Sequence, residues 1–349
     1  MISMQNIVEI CERVFKVVEE NNLDIRFFEI VTMIGFIEFQ RQKCDYVLLE
    51  CGLGGKLDAT NVVIPPDVIC SVIVSIGMDH MDVIGDTLED IAEEKSGIFK
   101  TGVPVVLGPT CQGLKEIEKR IADTSCEITW VPKQDTHVKD NNFVVQNIIQ
   151  IITMNETSPN LINLIAKVSQ PCRFEKIINR PENIILDVCH NIDGFRAVLD
   201  AIRIEYPTVN NIKLVFGISK SKKLDQICEL LENDKYVKDI FVVSRTHMRL
   251  YKAEDAYKCI SKCGSSKLRD LIIDQQGPDT AITRSDDTQS DGTISQGETF
   301  VQNITKTLDT ILENNQINNP ECLLLICGSF FIMSDVKQYF GYDLEVDTI

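Results

Sequence analysis

Several short stretches of the 349-residue chain combine residue types that can do chemistry. "LLECGLGGKLDATNVV", residues 48–63, ends an apolar run in a carboxylate, Glu50, and follows it with Gly52, Gly54, Gly55 and Asp58. "SVIVSIGMDHMD" sets Asp79 and His80 after a second apolar run. A carboxylate and an imidazole at neighbouring strand ends can share a divalent cation, with phosphate oxygens as further ligands. Equally, the Glu can hydrogen-bond a loop and the His can cap a turn, and local pattern leaves both readings open. Lys95 in "EEKSGIF" reads on spacing alone as a solvated lysine on a charged helix face. In "LDVCHN", Asp187 and His190 flank a strand end and Asn191 can cap the following helix, which by itself is an ordinary strand-to-helix turn. Arg173 in "QPCRFE" is either a surface arginine or a cation that reaches a phosphate. No G-x-S-x-G elbow is present, so Ser-His-Asp hydrolysis is set aside.

These residues need strands and helices to position them. "CDYVLLE", "VICSVIVSIG" and "VPVVLG" have strand length, and "FFEIVTMIGFIEFQRQK" between the first helix and the first of these runs repeats at helical period. "TLEDIAEEKSGIF" starts with Thr87 and, three residues on, Asp90, a capping pair. The amino-terminal "MISMQNIVEICERVFKVVEE" predicts an amphipathic helix with Ile7, Ile10, Val14 and Val17 on one face, and no targeting signal. The alternation restarts with "ENIILDVCHN", "NIKLVFGISKSKK", "VKDIFVVSR" and "ECLLLICGSFFIMSDVKQYF", with helices between them. Alternating strands and helices predict parallel sheets covered on both faces, whose ligands gather beyond the carboxyl ends of the strands. The proline in "VSQPCRFEKI" marks the expected boundary between domains at 1–168 and 169–349. Residues 274–297, poor in large apolar side chains, predict a disordered insertion.

Composition narrows the partners. A hydrophobic fraction of 44% and a charged fraction of 25% are those of a soluble globular protein, and no apolar run approaches the roughly 20 residues of a membrane span. The net charge of -17 argues against nucleic acid and for a small-molecule or protein partner. Thirteen cysteines, several within apolar runs (Cys70, Cys322, Cys327), fit a reducing, cytoplasmic setting. Cys259 and Cys263 have no second pair at zinc spacing.

The blocks "FFEIVTMIGFIEF", "DYVLLECGLGGKLDATNVV", "SIGMDHMDVIGDTLEDIAEEKSGIFKTGVPVV", "QPCRFE", "ILDVCHNIDGFRAVL", "VFGISKSKK" and "LLLICGSFFIMSDV" run in an order that resembles the folylpolyglutamate synthase and dihydrofolate synthase family of the Mur ligase superfamily. The resemblance covers nearly the whole chain and is specific as a set. It implies an α/β fold: a P-loop central domain of Mur-ligase type, here incomplete, followed by a Rossmann-like α/β carboxyl-terminal domain. It also implies a monomeric, ATP-dependent ligase that phosphorylates the carboxylate of a folate or of dihydropteroate and transfers the acyl group to L-glutamate. By position, Glu50 and His80 match magnesium ligands, and Lys95 matches a lysine carbamylated into a further anionic ligand. Phe28, Glu29, Leu57, Asp58 and Ala59 match segments that meet the pterin. Arg173, Asp187 and Asn147 match ATP contacts, and His190 falls in a D-G-A-H-N motif written here D-V-C-H-N, a catalytic turn with Asp187. The pattern departs in one large respect: the family's glycine-rich G-T-N-G-K-G-S phosphate loop and its strand, roughly 80 residues in all, have no counterpart here. The expectation is therefore a truncated sequence, with a degenerate binding homologue as the alternative, and a mitochondrial form would need a leader ahead of Met1. Val188 and Cys189, in place of Gly and Ala, enlarge the turn.

Overall fold

A computed structural model describes residues 2–78, 81–154, 158–180, 183–217, 219, 224–243, 250–262, 264–269, 296–313, 317 and 319–342. Asp79, His80 and Cys263 lie outside the described residues, as does the expected insertion up to residue 295. The chain divides into two units, Met1–Gln134 with Val138–Ala166, and Asp135–His137 with Lys167–Ile349.

The first unit opens with helices α1 (Met4–Glu20) and α2 (Phe27–Gln42). Ser3 caps α1 by accepting from the Asn6 amide, and Ile10 and Val14 are buried, but Val17 is exposed, so the apolar face turns away from cover before its last turn. Strand β1 (Ser71–Ile73) is followed by the short helix α3 (Met81–Ile84), α4 (Leu88–Ser96), β2 (Val105–Leu107), α5 (Lys115–Thr124), β3 (Ile128–Trp130), α6 (His137–Ile152) and α7 (Pro159–Ile165). Thr87 and Asp90 close the capping box at the start of α4, where the Asp90 amide donates to Thr87 Oγ1 and the Thr87 amide to Asp90 Oδ2. The three strands make a parallel sheet in the order β1-β2-β3. One face buries Ile73, Val105 and Leu107 against Ile91, Phe99 and Ile117, and the other packs Val106 and Val131 on Val144 of α6.

"CDYVLLE" corrects the expectation of a strand. Residues 44–50 join no sheet, and every one is exposed, with Leu48 at 90% and Tyr46 at 62% relative exposure. The run has the composition of a doubly buried parallel strand, yet no neighbouring strand among the described residues offers the ladder that would hold it.

The second unit adds β4 (Glu175–Lys176), β5 (Ile184–Asp187), α8 (Ile192–Glu205), β6 (Asn211–Phe216), α9 (Leu224–Asn233), β7 (Val237–Val242), α10 (Ala253–Lys262), α11 (Gln296–Glu313), β8 (Cys322–Cys327) and α12 (Met333–Tyr339). Gln296 and Gly297, expected at the end of the insertion, are the first residues of α11. The sheet runs β4-β5-β8-β6-β7, parallel except for β4, which pairs antiparallel to β5 at the edge. Strand periodicity sorts the central β8: Leu323, Leu325 and Cys327 face one core with Phe195, Ile227 and Phe216, while Cys322, Leu324 and Ile326 face the other with Ile304, Leu308 and Val336. Both faces are dry, which is why β8 reads as an unbroken apolar run.

Candidate functional site

In the first unit the glycine-rich segment after Glu50 is a fixed loop, not a flexible one. The Asp58 carboxylate takes four hydrogen bonds: Oδ2 accepts from the amides of Gly52 (2.9 Å) and Leu53 (3.1 Å), and Oδ1 accepts from the Thr60 amide (2.9 Å) and hydroxyl (2.6 Å). It thereby ties the start of the loop to the one-turn helix Ala59–Val62, which it caps. The loop also docks on the carboxyl-terminal end of α4. The Lys56 amide donates to Glu94 O (2.9 Å), Asn61 Nδ2 donates to Gly97 O (3.2 Å), and Lys56 Nζ pairs with Glu93 at 3.1 Å. Contact is so close at Gly97 that an added Cβ would stand 2.3 Å from Lys56 Cβ. On the opposite side the Phe28 ring lies over Gly52, 2.6 Å from where a Cβ would be.

This arrangement gathers several sequence-derived candidates. Cys51 is half-buried, and burial pushes its thiol pKa up; the charges of Asp58, Lys95 and Glu50 all act on it, Lys95 alone in the downward direction, and the Thr60 hydroxyl stands 3.6 Å from its sulfur. The charges of Glu50, Asp58 and Lys95 thus all reach a thiol that motif reasoning passed over. Glu50 is exposed, and Lys95 sits half-buried in the last turn of α4. Leu57 projects into solvent, Ala59 begins the one-turn helix, and Glu29 is occupied in capping α2, its Oε2 accepting from the Arg26 amide at 2.6 Å. Asn147 lies within α6 and donates to the Phe143 carbonyl (2.7 Å). His80 falls outside the described residues. Removing the Asp58 carboxylate frees two ends of the loop at once: Asp58→Ala is expected to lower stability by about 1–2 kcal/mol. Amide exchange at Gly52, Leu53 and Thr60 should accelerate together, whereas unchanged exchange would show that α4 alone holds the loop.

In the second unit the D-V-C-H-N turn caps the end of β5. Asp187 is buried; its Oδ1 accepts from the Cys189 amide (2.7 Å) and its Oδ2 from the Phe174 amide (2.8 Å). The Val188 amide donates to the Cys172 carbonyl (2.9 Å), His190 Nδ1 lies 2.9 Å from the Val188 carbonyl, and Asn191 caps α8 through the Gly194 amide (2.8 Å). Asp187 thus stitches the turn to the segment carrying Arg173. That segment is strained: Cys172 and Phe174, the residues flanking Arg173, have φ of 58° and 49°, a conformation that costs side-chain-bearing residues energy. Arg173 itself is exposed. The larger Val188 and Cys189 are accommodated by burial inside the unit. The structure joins Arg173, Asp187 and His190 through the backbone, a connection that sequence spacing of 14 and 17 residues does not disclose. Asp187→Asn keeps the shape but loses the charge and one strong acceptor, and is expected to cost about 1 kcal/mol, read as a shift in the unfolding midpoint.

No family model matches the chain. A curated relative, the dihydrofolate synthase/folylpolyglutamate synthase of Buchnera aphidicola (subsp. Schizaphis graminum), is 31% identical over 239 residues, which are 61% of this chain and 56% of that protein. The chain thus spans little more than half the length of that relative. Crystal structures of Mycobacterium tuberculosis folylpolyglutamate synthase complexed with ADP and AMPPCP superpose at a TM-score of 0.74 and 18% identity, covering 98% of this chain and 80% of that one. The bifunctional folylpolyglutamate synthase/dihydrofolate synthase of Yersinia pestis, complexed with AMPPNP and Mn, does so at 0.71 and 19%, covering 98% and 77%. The fold is that of these structures. The chain is thus similar, over part of its length, to folylpolyglutamate synthases and dihydrofolate synthases.

Proposed function

We propose that the chain carries most of an ATP-dependent ligase that adds L-glutamate to a folate, to dihydropteroate, or to both. The observation that carries this reading is the fixed loop: Asp58 ties Gly52 and Leu53 to Thr60, the loop docks on the end of α4 that carries Lys95, and the Phe28 ring lies over Gly52, so acidic and basic groups adjoin an aromatic surface suited to a pterin. In the reaction an oxygen of the substrate carboxylate attacks the γ-phosphorus of ATP and ADP leaves. The glutamate amine then attacks the acyl carbon, loses its proton, and inorganic phosphate departs. Arg173, set out on its strained turn, supplies positive charge to the phosphates, and Asp187 holds that turn to His190.

Magnesium fits the donor chemistry in part. No three His, Cys, Asp or Glu groups cluster among the described residues, and Asp58 is spent on its own loop. Magnesium binds through one or two carboxylates plus phosphate oxygens and water, so Glu50, with His80 and a carbamylated Lys95, would hold it. When bound, the ion would neutralise charge on the transferred phosphoryl group. A second reading is a homologue that binds folate or a protein without turnover. ADP release separates the two. The ligase reading expects ADP only when pterin substrate and glutamate are both present, once a phosphate loop is supplied; release independent of either substrate would contradict it.

A further inference from the structure

Arg173 stands in the middle of the strained turn of the second unit, exposed, and its guanidinium makes no hydrogen bond or ion pair among the described residues. The backbone around it, by contrast, is bound at every step. The Cys172 amide donates to Glu175 Oε2 at 2.6 Å, the Arg173 amide to the Gln170 carbonyl at 3.1 Å and the Phe174 amide to Asp187 Oδ2 at 2.8 Å, while the Cys172 carbonyl accepts from the Val188 amide at 2.9 Å. Positive φ at residues that carry side chains persists only where neighbouring groups over-determine it. Asp187 is one such group, and Glu175, the first residue of β4, is the other. Cys172 is buried, and burial together with the Glu175 charge pushes its thiol up to about 11, so the thiol stays protonated and donates to the same carboxylate. Glu175 is held in turn by Lys337 of α12: Nζ lies 3.1 Å from Oε1 and 3.4 Å from Oε2, and the two side chains are 18% and 17% exposed. Helix α12 is a firm base, because Met333 and Val336 bury it in the core. A carboxylate two residues from an arginine is a ready bidentate partner for its guanidinium. Here the lysine takes both oxygens, and Arg173 is left outside the pair.

We propose that Glu175 and Lys337 are positioning residues for Arg173: Glu175 locks the turn that carries the arginine, and Lys337 occupies the Glu175 carboxylate, so that the guanidinium is kept for a phosphate. The inference rests on the ligase reading for the phosphate and goes beyond it in naming two residues that touch no substrate. The strain of the turn becomes part of the device, since φ of 58° at Cys172 and 49° at Phe174 is held by Glu175 on one side and Asp187 on the other. Lys337 also lies 5.0 Å from the Tyr342 ring, a contact whose apolar part a methionine at 337 would keep, so loss of the charge can be separated from loss of packing.

The test is calorimetric titration of the 349-residue chain with ADP, with amide exchange at Cys172 and Phe174 followed in the same variants. Lys337→Met should weaken ADP binding at least about tenfold, because the freed carboxylate competes for Arg173. Lys337→Arg, which keeps a cation on that carboxylate, should stay within about threefold of native. Glu175→Ala should speed exchange at Cys172 and Phe174 together by at least about tenfold. In an Arg173→Met background, itself weaker than native, Lys337→Met should add nothing further, since its effect passes through the arginine. Additive losses in that double variant would make Lys337 a merely structural residue and overturn the proposal, as would native ADP affinity in Lys337→Met or unchanged exchange in Glu175→Ala. ADP binding that is absent, or indifferent to Arg173→Met itself, would overturn it too and would in addition remove the phosphate role that the ligase reading gives Arg173.

Discussion

Asp239→Ala should destabilise the second unit by about 3 kcal/mol or more. Asp239 on β7 bonds Lys213 on β6, a lysine that is 5% exposed in the middle of a parallel sheet, and also bonds Arg269. Lys213 shares its strand face with Val215, and its side chain is only 6% exposed. Taking away the carboxylate leaves that charge buried without its counter-ion, and the cost is the desolvation no longer offset, far above that of a surface pair. Asp239→Asn should cost less, because the amide oxygen still accepts. Urea unfolding followed by far-ultraviolet circular dichroism reads both variants; a midpoint shift worth under about 1 kcal/mol for Asp239→Ala would mean that Lys213 finds water. The pair also sets a pH dependence. Burial alone would raise the Asp239 pKa, but the hydrogen bonds and charges of Lys213 and Arg269 outweigh it and hold the carboxyl below its ordinary range. A depressed folded value contributes stability above the unfolded pKa, near ~4, that is lost as pH falls through the folded value. The acid limb of the stability curve should therefore flatten in Asp239→Asn.

Lys95→Met is expected to leave the fold intact and to reduce glutamate-dependent turnover, measured with a phosphate loop supplied, by about 10²-fold or more. Lys95 sits in the last turn of α4, where the loop of Lys56 and Asn61 docks, and no partner in the core depends on it. If its amine takes up carbon dioxide, releasing a proton and forming a carbamate, the helix end gains an anionic oxygen pair. Carbon-13 from labelled bicarbonate should then appear as a carbamate signal in the native chain and be missing from Lys95→Met. A native chain without that signal, or a variant within a few-fold of native turnover, would return Lys95 to a solvated helix-end lysine.

Local signals were legible where one residue's chemistry decides the outcome. Thr87 and Asp90 announced the start of α4, Asn191 the start of α8, and the alternation of β5, β6 and β8 with helices the parallel sheet. What sequence did not show depends on neighbours distant in the chain. "CDYVLLE" has every local property of a buried strand, but strand formation requires a partner's amides, and none among the described residues is in place. Val17 fits the helical stripe of α1 yet lies beyond the reach of α2. Strand β3 and helix α5 lay in a region without motifs, and only the register with β2 defines them. In the candidate site, Asp58 was legible as a carboxylate near glycines; that four hydrogen bonds commit it to the loop depends on the fold back to Gly52. The strained pair Cys172 and Phe174 leaves no trace in residue type, since neither is Gly, Asn or Asp.

The central claim is that the chemistry passes through an acyl phosphate. Oxygen-18 placed in the substrate carboxylate tests it directly, using the chain supplied with a phosphate loop, ATP and L-glutamate. One labelled oxygen should be found in each inorganic phosphate released, with one retained in the new amide. Phosphate released without label, alongside glutamate addition, would contradict the account.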